Sequence, residues 1–236
     1  MIRFYAPEIR NIPVLPEGES AHCVRVLRHR EGDEINVVDG EGNLYLCKII
    51  KAHPEHTEIT IIKEESISQT GNYSLTLAVA PTKNADRIEW MVEKAVEIGV
   101  DRIVLLHCQR SERKIFREDR LVKVMVSAMK QSLSAKLPEL EGVISLEEFV
   151  KRNDKEAQKF FGYCSPMIER KEFVRECQPG GKVIVMIGPE GDFTEEEVTL
   201  SIENGFMAVT FGEKRLRTET AGVYATCAVS VINQLS

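Results

Sequence analysis

The chain has 236 residues, of which 43% are hydrophobic and 29% are charged, and its formal net charge is −6. This balance is that of a folded protein with a buried core, so it excludes a wholly disordered chain, and the length suits one large domain or two modest ones. The sequence contains no run of about 18 apolar residues and no secretion signal, so we expect a cytoplasmic protein that neither spans nor binds a membrane.

The first part of the chain predicts short antiparallel strands. Runs rich in β-branched residues at 35–38, 44–50 and 58–62 are separated by turn-forming residues such as Asp39-Gly40-Glu41-Gly42-Asn43. Short strands separated by such turn residues are typical of β-hairpins. We predict a small β-barrel domain over residues 1–70, with the polar stretch 66–73 as an interdomain linker.

From residue 71 onward, strands alternate with helices. Apolar strands are predicted at 75–80, 103–106, 160–163, 182–187 and 208–211, and helical patterns at 88–96, 121–129 and 218–233. Thr194 and Glu197 have the spacing of a capping box at the start of a further helix. A continuous apolar run such as 182–187 is typical of a parallel strand buried on both faces. We therefore predict an α/β domain with a mainly parallel sheet over residues 71–236.

Charge is distributed unevenly along the chain. Between Arg102 and Lys136 there are nine basic residues against three acidic ones, although the whole chain is acidic. Such a patch predicts phosphate contacts at selected places, with a solvated helix face as the alternative.

The six cysteines are widely spaced and predict free thiols. His53 and His56 lack a second ligand pair, so we expect no bound metal.

Two glycine-containing loops follow predicted strands near the end of the chain. Gly188-Pro189-Glu190-Gly191 stands at the carboxyl end of the most apolar strand, where open α/β sheets bind ligands, although an ordinary turn has similar residues. The segment from Phe211 to Ala221 again reads as a strand end, a glycine, a polar loop and a helix start. Thr218 in it could be a simple helix cap. Neither a dinucleotide fingerprint nor a phosphate-binding loop motif occurs, which disfavours an enzyme that uses a phosphate-bearing cofactor.

These two segments together resemble the RsmE family of SPOUT-class rRNA methyltransferases. The similarity lies in Ile187-Gly188-Pro189-Glu190-Gly191 and Leu216-Arg217-Thr218-Glu219-Thr220-Ala221, and it extends over the whole chain. His22-Cys23-Val24-Arg25-Val26-Leu27-Arg28 is similar to the PUA-like domain of that family. Residues 94–100 and 111–113 match its usual helix and basic loop.

The resemblance implies methylation at N3 of a uridine in the decoding region of 16S rRNA, with either the free 16S rRNA or the small ribosomal subunit as the partner. It also implies S-adenosylmethionine as the cofactor, a homodimer, and a trefoil knot in the second domain. The cofactor pocket of the family maps to three loops of this chain. The implied cofactor contacts are Tyr163, Ser165, Pro166, Ile187, Gly188, Pro189, Gly191, Phe211, Gly212, Leu216 and Thr218.

The chain departs from the family pattern at two places. Where the family commonly has Glu-Gln-Ser-Gly-Arg, residues 130–134 read Lys-Gln-Ser-Leu-Ser. Roles of the missing glutamate and arginine therefore cannot be transferred, while Gln131 remains a candidate for RNA contact. Asp192 stands where a second glycine is frequent.

Uracil N3 bears a weakly acidic proton on the pairing edge, so the base must be unpaired and the proton must leave. Arg217 is our candidate for stabilising the developing uracil anion, with phosphate contact as its alternative role. Glu190 and Glu219 are candidate proton acceptors, unless they only bond backbone amides.

The predicted RNA-binding residues come from both domains. They are Arg25, Arg28, Arg30, Arg110, Arg113, Lys114 and Gln131. The main alternative to an enzyme is a noncatalytic RNA-binding or ribosome-assembly factor with a vestigial pocket.

Overall fold

The computed structural model describes residues 2–67, 71–112, 117–152 and 155–235. The chain forms two compact units: Met1–Thr70 with Val126–Leu137, and Gly71–Met125 with Pro138–Ser236. The predicted boundary at residue 70 assigns all of 126–137 to the second domain. In the structure this segment belongs to the first unit because Lys136 forms β-bridges with Gly40 and Glu41. The carbonyl oxygen of Ala135 also accepts the Gly42 N–H.

The first unit contains a four-stranded sheet with the order β1-β2-β3-β4, in which β1 is parallel to β2 and the other pairs are antiparallel. Its strands are β1 (Arg3–Tyr5), β2 (Glu34–Val38), β3 (Asn43–Lys51) and β4 (Glu58–Ser66). Helix α1 (Glu17–Ala21) and a π-helical segment (His22–Val26) lie between β1 and β2.

The predicted barrel is an open sheet in the part of the chain that the structure describes. Strands β1 and β4 are its edges, and Val14 adds one bridge to Glu58. Residues 7–11, between β1 and this bridge, form turns. The core of this unit includes Val37 of β2 and Tyr45 of β3, which are fully buried.

The second unit contains a seven-stranded sheet with the order β7-β6-β5-β10-β8-β11-β9, and all its neighbouring strands are parallel. The strands are β5 (Tyr73–Val79), β6 (Arg102–His107), β7 (Glu139–Ser145), β8 (Gln158–Gly162), β9 (Lys171–Glu172), β10 (Gly181–Ile187) and β11 (Met207–Thr210). The helices that follow β4 along the chain are α2 (Ala85–Ile98), α3 (Glu118–Gln131), α4 (Leu146–Val150), α5 (Phe173–Glu176), α6 (Glu195–Glu203) and α7 (Thr218–Gln234). The predicted α/β domain with a parallel sheet is confirmed.

Strand β10 lies in the middle of this sheet. Val185 pairs with Leu77 of β5 on one side and with Phe160 of β8 on the other. Parallel neighbours end at the same edge, so the loops that follow β10, β8 and β11 meet there. None of the helices within the described residues is long and apolar enough to span a lipid bilayer.

Candidate functional site

A cavity of about 840 Å³ lies in the second unit, at the carboxyl edge of the sheet. Its walls come from three loops, those after β8, β10 and β11, and from the first turn of α7. Arg87 of α2 completes the lining. The volume falls in the range of about 300–1,000 Å³ that holds small-molecule cofactors.

The structure brings most of the predicted cofactor contacts to this cavity. The residues from that prediction that line it are Tyr163, Ser165, Pro166, Ile187, Gly188, Pro189, Phe211, Gly212, Leu216 and Thr218. Gly191 is absent from the lining and lies against Arg110, whose Cβ would be 3.3 Å from a Cβ added at Gly191. The candidate catalytic residues Arg217, Glu190 and Glu219 also line the cavity. Their chemical roles stay predictions.

Thr218 links two of the three loops. Its buried hydroxyl donates to the carbonyl oxygen of Gly188 at 3.1 Å. The N-cap of α7 is Arg217, and no side chain caps the helix there. The interpretation of Thr218 as a helix cap is therefore wrong, because its hydroxyl is used between loops.

Asp192 links the loop after β10 to the loop after β8. Its φ angle is +63°, in the left-handed region that favours glycine. One carboxylate oxygen accepts the Cys164 N–H at 3.0 Å, and the other accepts the Phe193 N–H at 2.9 Å. Burial, followed by the charge of Asp192, raises the pKa of the Cys164 thiol. That thiol is therefore protonated at neutral pH and a weak nucleophile.

Glu219 and Glu190 differ in their surroundings. The Glu219 side chain is only 9% exposed, and its Oε1 lies 3.8 Å from Arg87 Nε and 4.0 Å from Arg217 Nη1. Glu190 is exposed, and its carboxylate accepts the backbone N–H of Lys83 at 3.3 Å. The cavity thus holds one buried carboxylate flanked by two guanidinium groups.

Arg87 and Arg170 were missed by the sequence analysis. Arg170 donates to the carbonyl oxygens of Tyr163 and Cys164 at 3.1 and 2.9 Å, which fixes the loop after β8. Arg87 lies in the first turn of α2, just after the carboxyl end of β5. The rule that ligands bind at strand carboxyl ends could have indicated Arg87, whereas no local signal marks Arg170.

Two glycines of the cavity lining, Gly162 at the end of β8 and Gly212 after β11, have specific steric roles. A Cβ at Gly162 would lie 2.6 Å from the Phe211 ring, so only glycine allows this close approach. Gly212 has φ +115°, which side chains rarely adopt.

The predicted RNA-binding residues come from both units. Arg25, Arg28 and Arg30 are exposed at and after the π-helical segment of the first unit, and Gln131 is exposed at the end of α3. Arg110 in the second unit donates to the carbonyl oxygens of Gly191 and Phe193 at 2.8 and 3.4 Å. Arg110 thus supports the loop after β10. Arg113 and Lys114 lie outside the described residues.

His53, Glu55 and His56 form a potential metal cluster, since their ligand atoms lie within 4.8 Å of one another. His53 Nδ1 accepts the Glu55 N–H at 3.2 Å. All six cysteines are free thiols.

Comparisons with known proteins match both units. Residues 69–230 match the family model described as an RNA methyltransferase domain, and residues 15–62 match an RNA methyltransferase PUA domain. The ribosomal RNA small subunit methyltransferase E of Bacillus subtilis (strain 168) is 26% identical over 233 residues, which cover 92% of this chain and 89% of the relative.

Solved structures agree with these matches. A probable rRNA-methyltransferase from Porphyromonas gingivalis has a TM-score of 0.95 and 36% identity, covering 100% of this chain and 99% of that one. Ribosomal RNA small subunit methyltransferase E from Neisseria gonorrhoeae, solved bound to S-adenosyl methionine, has a TM-score of 0.86 and 28% identity over 98% of each chain. The fold, the cavity built from three loops and these matches together show that the chain belongs to the RsmE family of RNA methyltransferases, with a PUA-like domain at its start.

Proposed function

We propose that this protein transfers a methyl group from S-adenosylmethionine to N3 of a uridine in the decoding region of 16S rRNA, giving 3-methyluridine. The observation that carries the proposal is the single cavity formed by the loops after β8, β10 and β11. Two relatives of the same fold, from Legionella pneumophila and Neisseria gonorrhoeae, were solved with this cofactor.

The residues of the cavity fit such a cofactor. The side chains of Ile187 and Leu216 supply apolar surface, and the loop backbones offer peptide groups for an adenine edge. The buried carboxylate of Glu219 suits the positive charge of a sulfonium. When bound, S-adenosylmethionine supplies an electrophilic methyl group, so that alignment of the acceptor nitrogen does most of the catalytic work.

Arg217 is proposed to act on the acceptor base. Its side chain is 71% exposed at the mouth of the cavity, so an incoming base can reach the guanidinium group. A cation there favours the deprotonated uracil and can donate to the oxygen at C2 or C4. Phosphate contact remains the alternative role for this side chain.

Of the two candidate proton acceptors, Glu219 is the better placed. Its carboxylate lies within the cavity and near Arg217, whereas that of Glu190 already accepts a backbone N–H. This arrangement supports Glu219 as the proton acceptor and a positioning role for Glu190.

We further propose that residues 1–70 form the RNA-binding domain and 71–236 the catalytic domain, with 126–137 joining the former. The residues proposed to contact the rRNA are Arg25, Arg28, Arg30, Arg113, Lys114 and Gln131. Arg110 would act through the loop that it supports.

The protein is also proposed to be a metal-free cytoplasmic homodimer with a trefoil knot. The position of β10 between the earlier strands β5 and β8 is compatible with the knot. A crystal structure in which no segment of the chain passes through a loop of the second domain would refute the proposed knot.

The decisive experiment combines cofactor binding with product analysis. Calorimetry should detect S-adenosylmethionine binding, and mass spectrometry should detect 3-methyluridine in 16S rRNA or small subunits incubated with the protein. Arg217→Ala should lower turnover by roughly 100-fold, the scale of losing one charge-stabilising donor, with little change in cofactor affinity. Arg217→Lys should recover part of that loss.

Arg175→Ala is the matched control, because Arg175 is a highly exposed arginine that lies outside the cavity lining. Unchanged turnover in both Arg217 variants would end its catalytic role. Absence of cofactor binding would favour the noncatalytic RNA-binding or assembly factor.

A further inference from the structure

A second, smaller hollow of about 520 Å³ adjoins the cofactor cavity. It is lined by Asp86, Arg87, Trp90, Arg217, Glu219 and Thr220. Three of these residues, Arg87, Arg217 and Glu219, also line the larger cavity. The two spaces are therefore contiguous at the point where the candidate catalytic side chains lie.

Trp90 gives this hollow an aromatic surface. It is the only tryptophan of the chain, and 45% of it is exposed although its helix α2 buries Met91 and Val92 beside it. The exposed ring is accessible at the edge of the cofactor cavity, and a nucleobase has a π-face that stacks on such a ring.

The charges around Trp90 favour a nucleotide as that partner. Arg87 and Arg217 are 40% and 71% exposed in their side chains, and both can donate to phosphate oxygens. An aromatic ring flanked by arginines is the combination that binds single-stranded nucleic acid. A purely apolar partner would leave both guanidinium groups with no anionic oxygens at this hollow other than the carboxylates of Asp86 and Glu219.

We propose that this hollow binds a nucleotide of the RNA substrate, whose base stacks on Trp90 and whose phosphate contacts Arg87. The assignment rests on the proposed methyltransferase function and extends it by naming the surface that holds the unpaired RNA beside the cofactor. Stacking there would hold a base out of its helix at the mouth of the cavity, which a modification of the pairing edge requires.

Because Trp90 is the only tryptophan, its fluorescence reports directly on the occupancy of the hollow. Titration of the full-length protein with a short single-stranded oligouridylate should quench this fluorescence to a plateau, with or without S-adenosylmethionine. Raising the salt concentration should weaken the binding, since phosphate contacts release counterions. No quenching at saturating oligouridylate would overturn the proposal.

Kinetics with the RNA substrate supply the second test. Trp90→Ala should lower kcat/KM for RNA by roughly 10-fold to 100-fold, the scale of one base stacked on an aromatic ring, and should leave cofactor affinity unchanged. Trp90→Phe should recover most of the activity. Val231→Ala, at an exposed position of α7 outside both lined spaces, should match the parent.

The outcomes separate this proposal from the proposed function. Methylation that is normal in Trp90→Ala would refute the stacking site while the enzyme assignment stands. A parent protein that methylates no RNA would refute the enzyme assignment, and the fluorescence titration would still decide the stacking site. Sedimentation gives the remaining control, because loss of a dimer in Trp90→Ala would show that a second copy of the chain covers this surface.

Discussion

The hydroxyl of Thr218 donates a hydrogen bond of 3.1 Å to the carbonyl oxygen of Gly188, and so joins the loops after β10 and β11. Thr218→Val keeps the shape and leaves that buried carbonyl without its donor. We expect Thr218→Val to lose about 1–3 kcal/mol of unfolding free energy in urea titrations and to bind S-adenosylmethionine more weakly. Thr218→Ser should keep both properties near the parent. Equal behaviour of the two variants would show that the hydroxyl does not hold the loops.

The negative charge of the buried Glu219 carboxylate should strengthen the binding of a positively charged ligand more than that of a neutral one. Glu219→Gln keeps the shape, so we expect a loss of about 1–2 kcal/mol in calorimetric affinity for S-adenosylmethionine. Affinity for S-adenosylhomocysteine, which is a neutral thioether, should hardly change. Glu203→Gln, at the exposed end of α6, is the control. Equal losses for both ligands would mean that Glu219 acts through structure and not through charge.

Asp192 has a left-handed backbone at φ +63° and bonds the Cys164 N–H. Asp192→Asn tolerates that conformation but keeps only one of the two acceptor oxygens, so we expect a loss of about 0.5–1 kcal/mol. Asp192→Ala loses the acceptor and keeps the strain, so we expect a loss of about 1–2 kcal/mol in urea unfolding. A stable Asp192→Ala variant would show that the link between the loops is unimportant.

Leu133 ends helix α3 in the same left-handed region, at φ +58°. The Ser134 N–H bonds the Met129 carbonyl oxygen, and the Leu133 N–H bonds that of Lys130, which is the helix ending that favours glycine. Leu133→Gly should raise the unfolding free energy by up to about 1 kcal/mol. The reverse change, Gly99→Leu at φ +117° after α2, should lower it by about 1–2 kcal/mol. A less stable Leu133→Gly variant would mean that the leucine side chain has packing that outweighs the strain.

Glu141 makes the stability of the second unit dependent on pH. Hydrogen bonds from Arg152, aided by the charges of Arg152 and Arg102, lower the pKa of its carboxyl in the folded state. The contribution of ionised Glu141 to the free energy of unfolding is therefore complete above the pKa of about 4.3 in the unfolded chain. It is lost as pH falls through the lower pKa of the folded protein. Glu141→Gln should lower stability by about 1–2 kcal/mol at pH 7, and urea titrations should show the difference shrinking below pH of about 4. A difference that is constant with pH would contradict this assignment.

Local patterns predicted much of the second unit. The capping box is confirmed, since Thr194 accepts the Glu197 N–H at 3.3 Å and Glu197 accepts the Thr194 N–H at 2.9 Å. The strand around 182–187 is confirmed as β10 because its residues are apolar on both faces. Strand β7 was missed because it is an edge strand whose residues are exposed or only half-buried, so it lacks a distinct apolar period.

The site was predictable where it depends on strand ends, and not where it depends on tertiary contacts. Both glycine loops could be placed because parallel strands end at one edge. The contacts of Arg170 with the loop after β8, and of Lys130 with Glu19 in the first unit, join residues that no local pattern relates. Lys130 stands at a departure from the family pattern, and its ion pair with Glu19 gives that lysine a structural role.

The central place of β10 has a consequence for synthesis of the protein. Strands β5 and β8 are made earlier, but each must wait for β10 before its inner edge is paired. Until residue 187 has left the ribosome, the inner edge of β5 and both edges of β8 remain open to wrong partners, because β11 is made later still. A nascent chain arrested before that residue should therefore depend on chaperones far more than one arrested after α7.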